Sequence, residues 1–361
     1  MRSLYFYLIA AIVALPALAN IQYTCDPSFS TYAPAGICTS ADGLNGSAVA
    51  GVYSSLFSNA NASIYITFGG TNAYGQSDTV FTPVPYSDYY TALATHTDNP
   101  VALASLGVLG DPLGSQSDGN VDVSSALASA LGLTAPSDNG ANTAGLDKNG
   151  NPCVLGPGNP TCYNGLINIL AVPGQFYFPP ATYTTGQIDF YTVVEHETDE
   201  VLGTVSCIAG QNTNGCQTDP ASTDASAADL FRYSALGTRS FLNAADGSTG
   251  AYFSIDSGLT DIADYTNSPN AGDYGDWLSI YPYLVQDAQV SQQVNLDIST
   301  DVGVNSNHYP QPEVAVLDAV GFNRATPEPG TMALLGGSLA VLAAIRVRRL
   351  ASRKTATAEK P

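Results

Sequence analysis

Apolar residues fall along this chain in three rhythms, and each predicts a different kind of element. The first is unbroken: residues 4–15 and 331–345 are almost continuously apolar. The second has the spacing of a helix face. Residues 47–57 read as a small-residue amphipathic helix, 87–96 as a helix with Ser87 as N-cap, and 124–131 as a third helix before Gly132. The third rhythm alternates. Ile64, Ile66 and Phe68 are separated by Tyr65 and Thr67, as a strand over 63–68 requires, and 166–172 makes another strand ended by Pro173 and Gly174. Between 136 and 162 the Asn, Gly and Pro content leaves no period, so a long loop is expected there. Helices and strands mixed in this way, with no repeat of fixed period, predict an α+β fold that is rich in loops.

The flanks of the two apolar runs define the ends. Arg2 precedes the first run, and Pro16 with Ala17, Leu18 and Ala19 follows it, the layout of a secretory signal cleaved after Ala19. Thr326-Pro327-Glu328-Pro329-Gly330 precedes the second run, and Arg346, Arg348, Arg349, Arg353 and Lys354 follow it. An apolar segment with a basic stop places the tail in the membrane with its arginines inside. At about 1.5 Å per residue the segment is about 22 Å long, short for a permanent span. The order Pro-Glu-Pro, apolar helix, basic tail resembles the PEP-CTERM sorting signal of Gram-negative bacteria. That resemblance implies recognition by an exosortase-type sorting enzyme, a C-terminal membrane anchor before processing, and delivery to the cell surface or extracellular matrix. The expected layout is a signal peptide at 1–19, one domain at 20–322, a linker at 323–330, the sorting segment at 331–345 and a basic cytoplasmic tail at 346–361.

Between the two signals the chain is strongly acidic. Only Lys148, Arg232, Arg239 and Arg324 are basic between residues 20 and 325, whereas Glu328 and Glu359 are the only acidic residues outside that span. Nucleic acid and anionic membrane surfaces are excluded as partners of such a body, and divalent cations suit it. Six cysteines fall as three close pairs, Cys25 with Cys38, Cys153 with Cys162 and Cys207 with Cys216. In an exported chain this predicts three local disulfides, since the C-x2-C spacing of a four-cysteine zinc site is missing.

The segment 188–203 carries the candidate chemistry. On a helix, Phe190, Val193, Val194 and Val201 share one stripe, with Glu197 in its middle and His196 and Glu200 one turn apart at its edge. Glu195 and Asp199 are expected to face solvent. A carboxylate in an apolar stripe needs a partner, a proton or a metal-bound water to act on, and Glu197 stands where a general base would. The alternative is an acidic surface helix with its register one position away.

The order His196-Glu197-x-x-Glu200-Val-Leu-Gly203 resembles the H-E-x-x-H-x-x-G helix of zinc metallopeptidases of the metzincin type. Residues 229–241, 251–256, 272–277 and 313–322 look similar to a family of PEP-CTERM metalloproteases. The resemblance implies a metallopeptidase-like domain at 20–322 with a twisted mixed sheet, an active-site helix and a C-terminal helix. It implies zinc bound by His196 and Glu200, Glu197 as base, and Gly203 as the turn toward a third ligand. Glu200 departs from the family's second histidine, and its charge lowers the Lewis acidity of the ion. Ser206 stands where the family has its third ligand, so Asp229 is the first candidate for that place, with Asp219, Asp224 and His308 as alternatives. The family's methionine turn has no counterpart, because the only methionines are Met1 and Met332. Tyr309 is a candidate oxyanion stabiliser, and His96 is expected at the surface.

Two functions follow as expectations. The first is a secreted zinc-dependent metalloendopeptidase acting on a peptide or protein substrate. The second is a non-catalytic surface or matrix protein that keeps the peptidase fold and uses its acidic face for calcium or adhesion. Asp147 to Asn151 begins like a calcium-binding loop, but Pro152 stands where that loop needs glycine.

Overall fold

The alternating strand of the sequence is the second strand of a mixed four-stranded sheet. The strands are β1 (Asn20–Cys25), β2 (Asn61–Gly69), β3 (Ser77–Thr79) and β4 (Gly165–Leu170), in the order β1-β2-β4-β3. β1 runs parallel to β2 with Tyr23 opposite Ile64, and β2 runs parallel to β4 with Ile66 opposite Ile167. β3 closes the edge antiparallel to β4, with Ser77 opposite Ile167. Ala62, Ile64, Ile66 and Phe68 are buried on one face, as period two demands. Tyr65 turns to the other face, where its ring lies 5.3 Å from that of Tyr163.

The computed structural model describes residues 19–325, except 72, 108–118, 135, 209–224, 242–249, 267–272, 279–283, 288–296 and 301–310. The expected signal and sorting segments therefore lie outside the described residues. Among the described residues no helix is long and apolar enough to cross a membrane. The result is a mixed α+β body with several small sheets and few helices.

The main sheet is covered by helix α1 (Phe190–Asp199), whose first residue carries the packing. The Phe190 ring stacks on Phe68 at 5.9 Å and meets Phe178 at 4.8 Å, and Phe29 and Phe176 surround it at 6.2 and 6.0 Å. This aromatic cluster fixes the start of α1 against β2. Helix α2 (Pro312–Val320) lies against the turn Glu200–Thr204 that follows α1 and buries Val314, Leu317 and Val320.

Several expected elements are present with shifted limits. The first two helices run over Ala50–Leu56 and Tyr86–His96. Pro85, not Ser87, precedes the second, and no side chain caps it. The third occupies Ser125–Ala130, and Ser124 Oγ accepts from Leu127 N at 3.2 Å as an N-cap should. The stretch expected as a long loop is more ordered than its composition implies. Ala144–Asp147 pairs with Pro152–Val154 and with Cys162–Tyr163, although each strand is too short to show a period. Disulfides join Cys25 to Cys38 and Cys153 to Cys162, as the spacing predicts. Cys207 is also disulfide-bonded, and its expected partner Cys216 lies outside the described residues.

Candidate metal centre

Helix α1 is entered and left under tight local control. Ile188–Asp189 pairs with Phe176–Tyr177, and the Asp189 carboxylate accepts from Tyr191 N at 3.0 Å to cap the first turn. After Asp199 the helix widens into a π turn over Glu200–Thr204. Such a turn redirects the side chains it holds and recurs at functional sites. Gly203 ends it with φ +131°, a value that a side chain would strain, so the expected turn glycine has a physical reason.

The π turn brings Glu200 back toward His196. Glu200 Oε1 lies 3.7 Å from His196 Nε2, and Asp276 Oδ1 lies 3.5 Å from the same nitrogen. One ligand atom from each of the three residues lies within 4.8 Å of the others. Tetrahedral zinc with bonds of about 2.0 to 2.2 Å places its ligands about 3.4 Å apart, so the donors fit the ion in type, and the two contacts to His196 at 3.7 and 3.5 Å come near that spacing. The imidazole is prepared for that role from behind. His196 Nδ1 donates to the Val285 carbonyl at 2.9 Å, which leaves the Nε2 lone pair facing the two carboxylates. Burial pulls the imidazole pKa down, but the charges of Asp276 and Glu200 outweigh it and hold the value above the ordinary one.

Each carboxylate is itself held. Ser77 on the edge strand β3 donates through Oγ to Glu200 Oε2. Gln286 Nε2 donates to Asp276 Oδ1 at 3.0 Å and lies 3.3 Å from His196 Nε2. Asp273 N donates to Asp276 Oδ2 at 3.0 Å. Behind them Glu313 at the start of α2 accepts from Trp277 Nε1 at 2.9 Å and from Gln286 N at 3.1 Å. The C-terminal helix thereby anchors both loops that form the site.

Glu197 lies in the apolar stripe as expected, buried and beside Glu200. Burial, and then the Glu200 charge, push its carboxyl well above the usual range. The backbone passes very close to it: a Cβ placed on Gly75 would stand 2.4 Å from Glu197 Oε1. Asp273 is pushed up in the same way by burial and by Asp276. Four buried carboxyl groups thus gather around one imidazole. Arg232 is also buried, but its guanidinium donates to the Tyr274 carbonyl at 2.6 Å and covers the Tyr265 ring at 4.5 Å. A buried acid cluster of this kind is stable only when protonated or when a cation is bound.

Of the residues expected at the site, His196, Glu197 and Glu200 are together and Asp229 is not among the three that converge. Asp229 Oδ1 accepts from Ser206 Oγ at 2.6 Å, and Oδ2 accepts from Cys207 N at 2.8 Å and Ser226 N at 2.9 Å. Its carboxylate fastens the segment after α1 to the strand Ala225–Ser226 instead. Asp276 is the third residue of the converging group. Its signal in the sequence is Asp273-Tyr-Gly-Asp276, two carboxylates around a glycine turn. Asp219, Asp224, His308 and Tyr309 lie outside the described residues.

The expectation that Glu195 and Asp199 face solvent is corrected: both are fully buried. The polar side of α1 meets other parts of the domain rather than water. Tyr53 Oη donates to Asp199 Oδ1 at 2.6 Å and lies 3.0 Å from the Glu195 carbonyl, while Ile298 N donates to Glu195 Oε2 at 3.0 Å. The loop beginning at Asp147 offers little to calcium, because Asn149 N, Asn151 N and Asn151 Nδ2 already donate to its carboxylate.

Residues 325–349 match the PEP-CTERM protein-sorting motif. This motif implies export to the cell surface or extracellular space and recognition by an exosortase-type sorting enzyme. No curated protein and no solved structure matches the chain.

Proposed function

We propose that this surface-sorted protein is a zinc-dependent peptidase, with the ion held by His196, Glu200 and Asp276 and with Glu197 as the base. The observation that carries the reading is the convergence of one imidazole lone pair and two carboxylates within 4.8 Å of one another, with further buried acids around them. A mixed sheet whose antiparallel edge strand β3 touches the site through Ser77, and a C-terminal helix that anchors it through Glu313, support a metzincin-like architecture.

Zinc bound there would polarise the scissile carbonyl and acidify a water molecule. Glu197 takes a proton from the attacking water and delivers it to the departing amine. Val285 keeps the His196 ring in one tautomer, while Ser77 and Gln286 keep Glu200 and Asp276 from rotating away. Two carboxylates in the set would reduce the net charge of a bound ion and so slow hydrolysis relative to a two-histidine site.

The same feature favours a second reading, a non-catalytic surface protein that holds calcium, because carboxylate oxygens suit hard cations. The two are separated by metal analysis and a peptide-hydrolysis assay on wild type and Glu197→Gln. Stoichiometric zinc at neutral pH, with hydrolysis lost in a variant that keeps its metal, is the expected result. Absence of stoichiometric zinc sinks the metal assignment. A calcium-dependent thermal shift without hydrolysis replaces the first reading by the second.

A further inference from the structure

The side-chain amide of Gln286 ends between two of the proposed metal ligands. Its Nε2 atom lies 3.3 Å from His196 Nε2 and 3.0 Å from Asp276 Oδ1, and those two atoms are 3.5 Å apart. The sides of this triangle are close to the ligand spacing of about 3.4 Å that tetrahedral zinc imposes. The end of the Gln286 side chain therefore occupies a ligand position. The residue is held there from both sides of its backbone. Its N–H donates to Glu313 Oε1 at 3.1 Å, its carbonyl accepts from Trp277 N at 2.8 Å, and only 1% of its surface is exposed.

The present orientation satisfies one end of the amide only. His196 Nδ1 donates to the Val285 carbonyl, so Nε2 is left as an acceptor, and Asp276 Oδ1 is an acceptor too. The N–H groups of Gln286 thus take the same lone pairs that an ion would use. At the other end Oε1 is buried and, among the described residues, has no hydrogen-bond partner, which is a costly arrangement. An ion between these lone pairs would also meet the positive end of the amide dipole. A half-turn about the last bond of the side chain removes both faults. The two ends of an amide are alike in size, so the turn needs no repacking. It carries Oε1 to the position of Nε2 and frees Asp276 Oδ1, while Oδ2 still accepts from Asp273 N at 3.0 Å. One acceptor without a donor is close by for the displaced Nε2: Glu313 Oε2, on the carboxylate that Gln286 N already meets.

We infer that Gln286 is a fourth ligand of the ion, bound through Oε1 once its amide has turned, and that its N–H groups hold His196 and Asp276 in place until the ion enters. This assignment rests on the metal centre proposed above. A neutral carbonyl oxygen adds a ligand without lowering the charge of the ion, as a further carboxylate would.

The test is the zinc affinity of the purified protein, measured by competition with a chromophoric chelator, in wild type, Gln286→Met and Gln286→Glu. Both variants keep the backbone N–H that donates to Glu313. Methionine keeps the length of the side chain but has no oxygen, whereas glutamate keeps an oxygen ligand but has no N–H for Asp276. A fourth ligand predicts affinity at least tenfold weaker in Gln286→Met and equal or tighter in Gln286→Glu. Gln286→Leu also lacks the oxygen and replaces Gln286→Met should that variant fail to fold. Equal weakening in the methionine and glutamate variants would assign Gln286 to the support of Asp276 alone and overturns the inference. Unchanged affinity in Gln286→Met overturns it as well. A wild type that binds no zinc removes the metal centre and this assignment with it, whereas a failure confined to the variants leaves that centre standing.

Discussion

The Oδ1 atom of Asp276 lies 3.5 Å from the Nε2 atom of His196, and this contact joins a helix to a loop far along the chain. Asp229, closer in sequence to the helix, is occupied by Ser206, Cys207 and Ser226. The two aspartates therefore separate by experiment. Asp276→Ala is expected to lower zinc affinity at least tenfold, as loss of a ligand does, and also to cost some stability in the metal-free protein, because Gln286 Nε2 and Asp273 N lose their acceptor. Asp229→Ala is expected to keep the zinc stoichiometry and to lose about 2 to 4 kcal/mol of stability, because several buried donors are left without an acceptor. Zinc analysis and urea unfolding of the two variants check this, and the reverse pattern would restore Asp229 as the ligand.

Gly75 gives a test of the base that leaves the ligands alone. A methyl group there meets the Glu197 carboxylate at 2.4 Å, a separation no real contact sustains. Gly75→Ala forces a shift of the Glu197 and Val193 side chains or of the Gly75 backbone, and misplacement of the carboxyl by about an ångström costs about 10²-fold in rate. The expected outcome is a loss of kcat in peptide hydrolysis with zinc content unchanged. Unaltered kcat both here and in Glu197→Gln would remove Glu197 from the mechanism.

How much of this was legible in the chain depends on the range of the interaction that decides each feature. Ile64, Ile66 and Phe68 announce β2 because period two is a local property of a strand. His196 and Glu200 announce the site because one helical turn places them side by side. Asp276 was hidden, since its approach to His196 is decided by Gln286 and Glu313, which lie on other segments. The surroundings of α1 were misread for the same reason. Glu195 and Asp199 look like solvent-facing acids until Tyr53 and Ile298 pack over them. The strands between 144 and 163 escaped notice because four residues or fewer cannot show a period.

Tyr53 is the donor that makes the buried Asp199 tolerable. Its hydroxyl reaches Asp199 Oδ1 at 2.6 Å, and burial has pushed the Asp199 carboxyl well above its usual range. Tyr53→Phe keeps the ring and removes only the hydroxyl, leaving a buried acid without that partner. A loss of about 1 to 3 kcal/mol is expected, measured as a lower midpoint in urea unfolding. Tyr89→Phe removes a hydroxyl that meets the Val320 carbonyl at 3.1 Å, a neutral acceptor, and is expected to lose less. Equal losses in the two variants would show that the Asp199 carboxyl is no stronger an acceptor than a backbone carbonyl.

Asp318 on α2 connects stability to pH. Burial, and then the Asp98 charge, raise its pKa from 3.8 to about 6, against the pull of Arg324 and Asn99. A carboxyl whose pKa is raised by folding binds its proton more tightly in the folded state. Its contribution is therefore fully present below pH 4 and is lost as pH rises through about 6. A shift of this size corresponds to about 3 kcal/mol, reduced to about 1 to 2 kcal/mol because the group is partly exposed and screened by water. Asp318→Asn keeps an acceptor for Asn99 Nδ2, which now donates to Asp318 Oδ2 at 2.8 Å, and removes the titration. Relative to wild type the variant should gain that amount between pH 4 and pH 7, read from urea unfolding at each pH. The comparison cancels the many other acids, which titrate in both proteins. Parallel stability profiles across this range would mean that Asp318 enters the fold with an ordinary pKa.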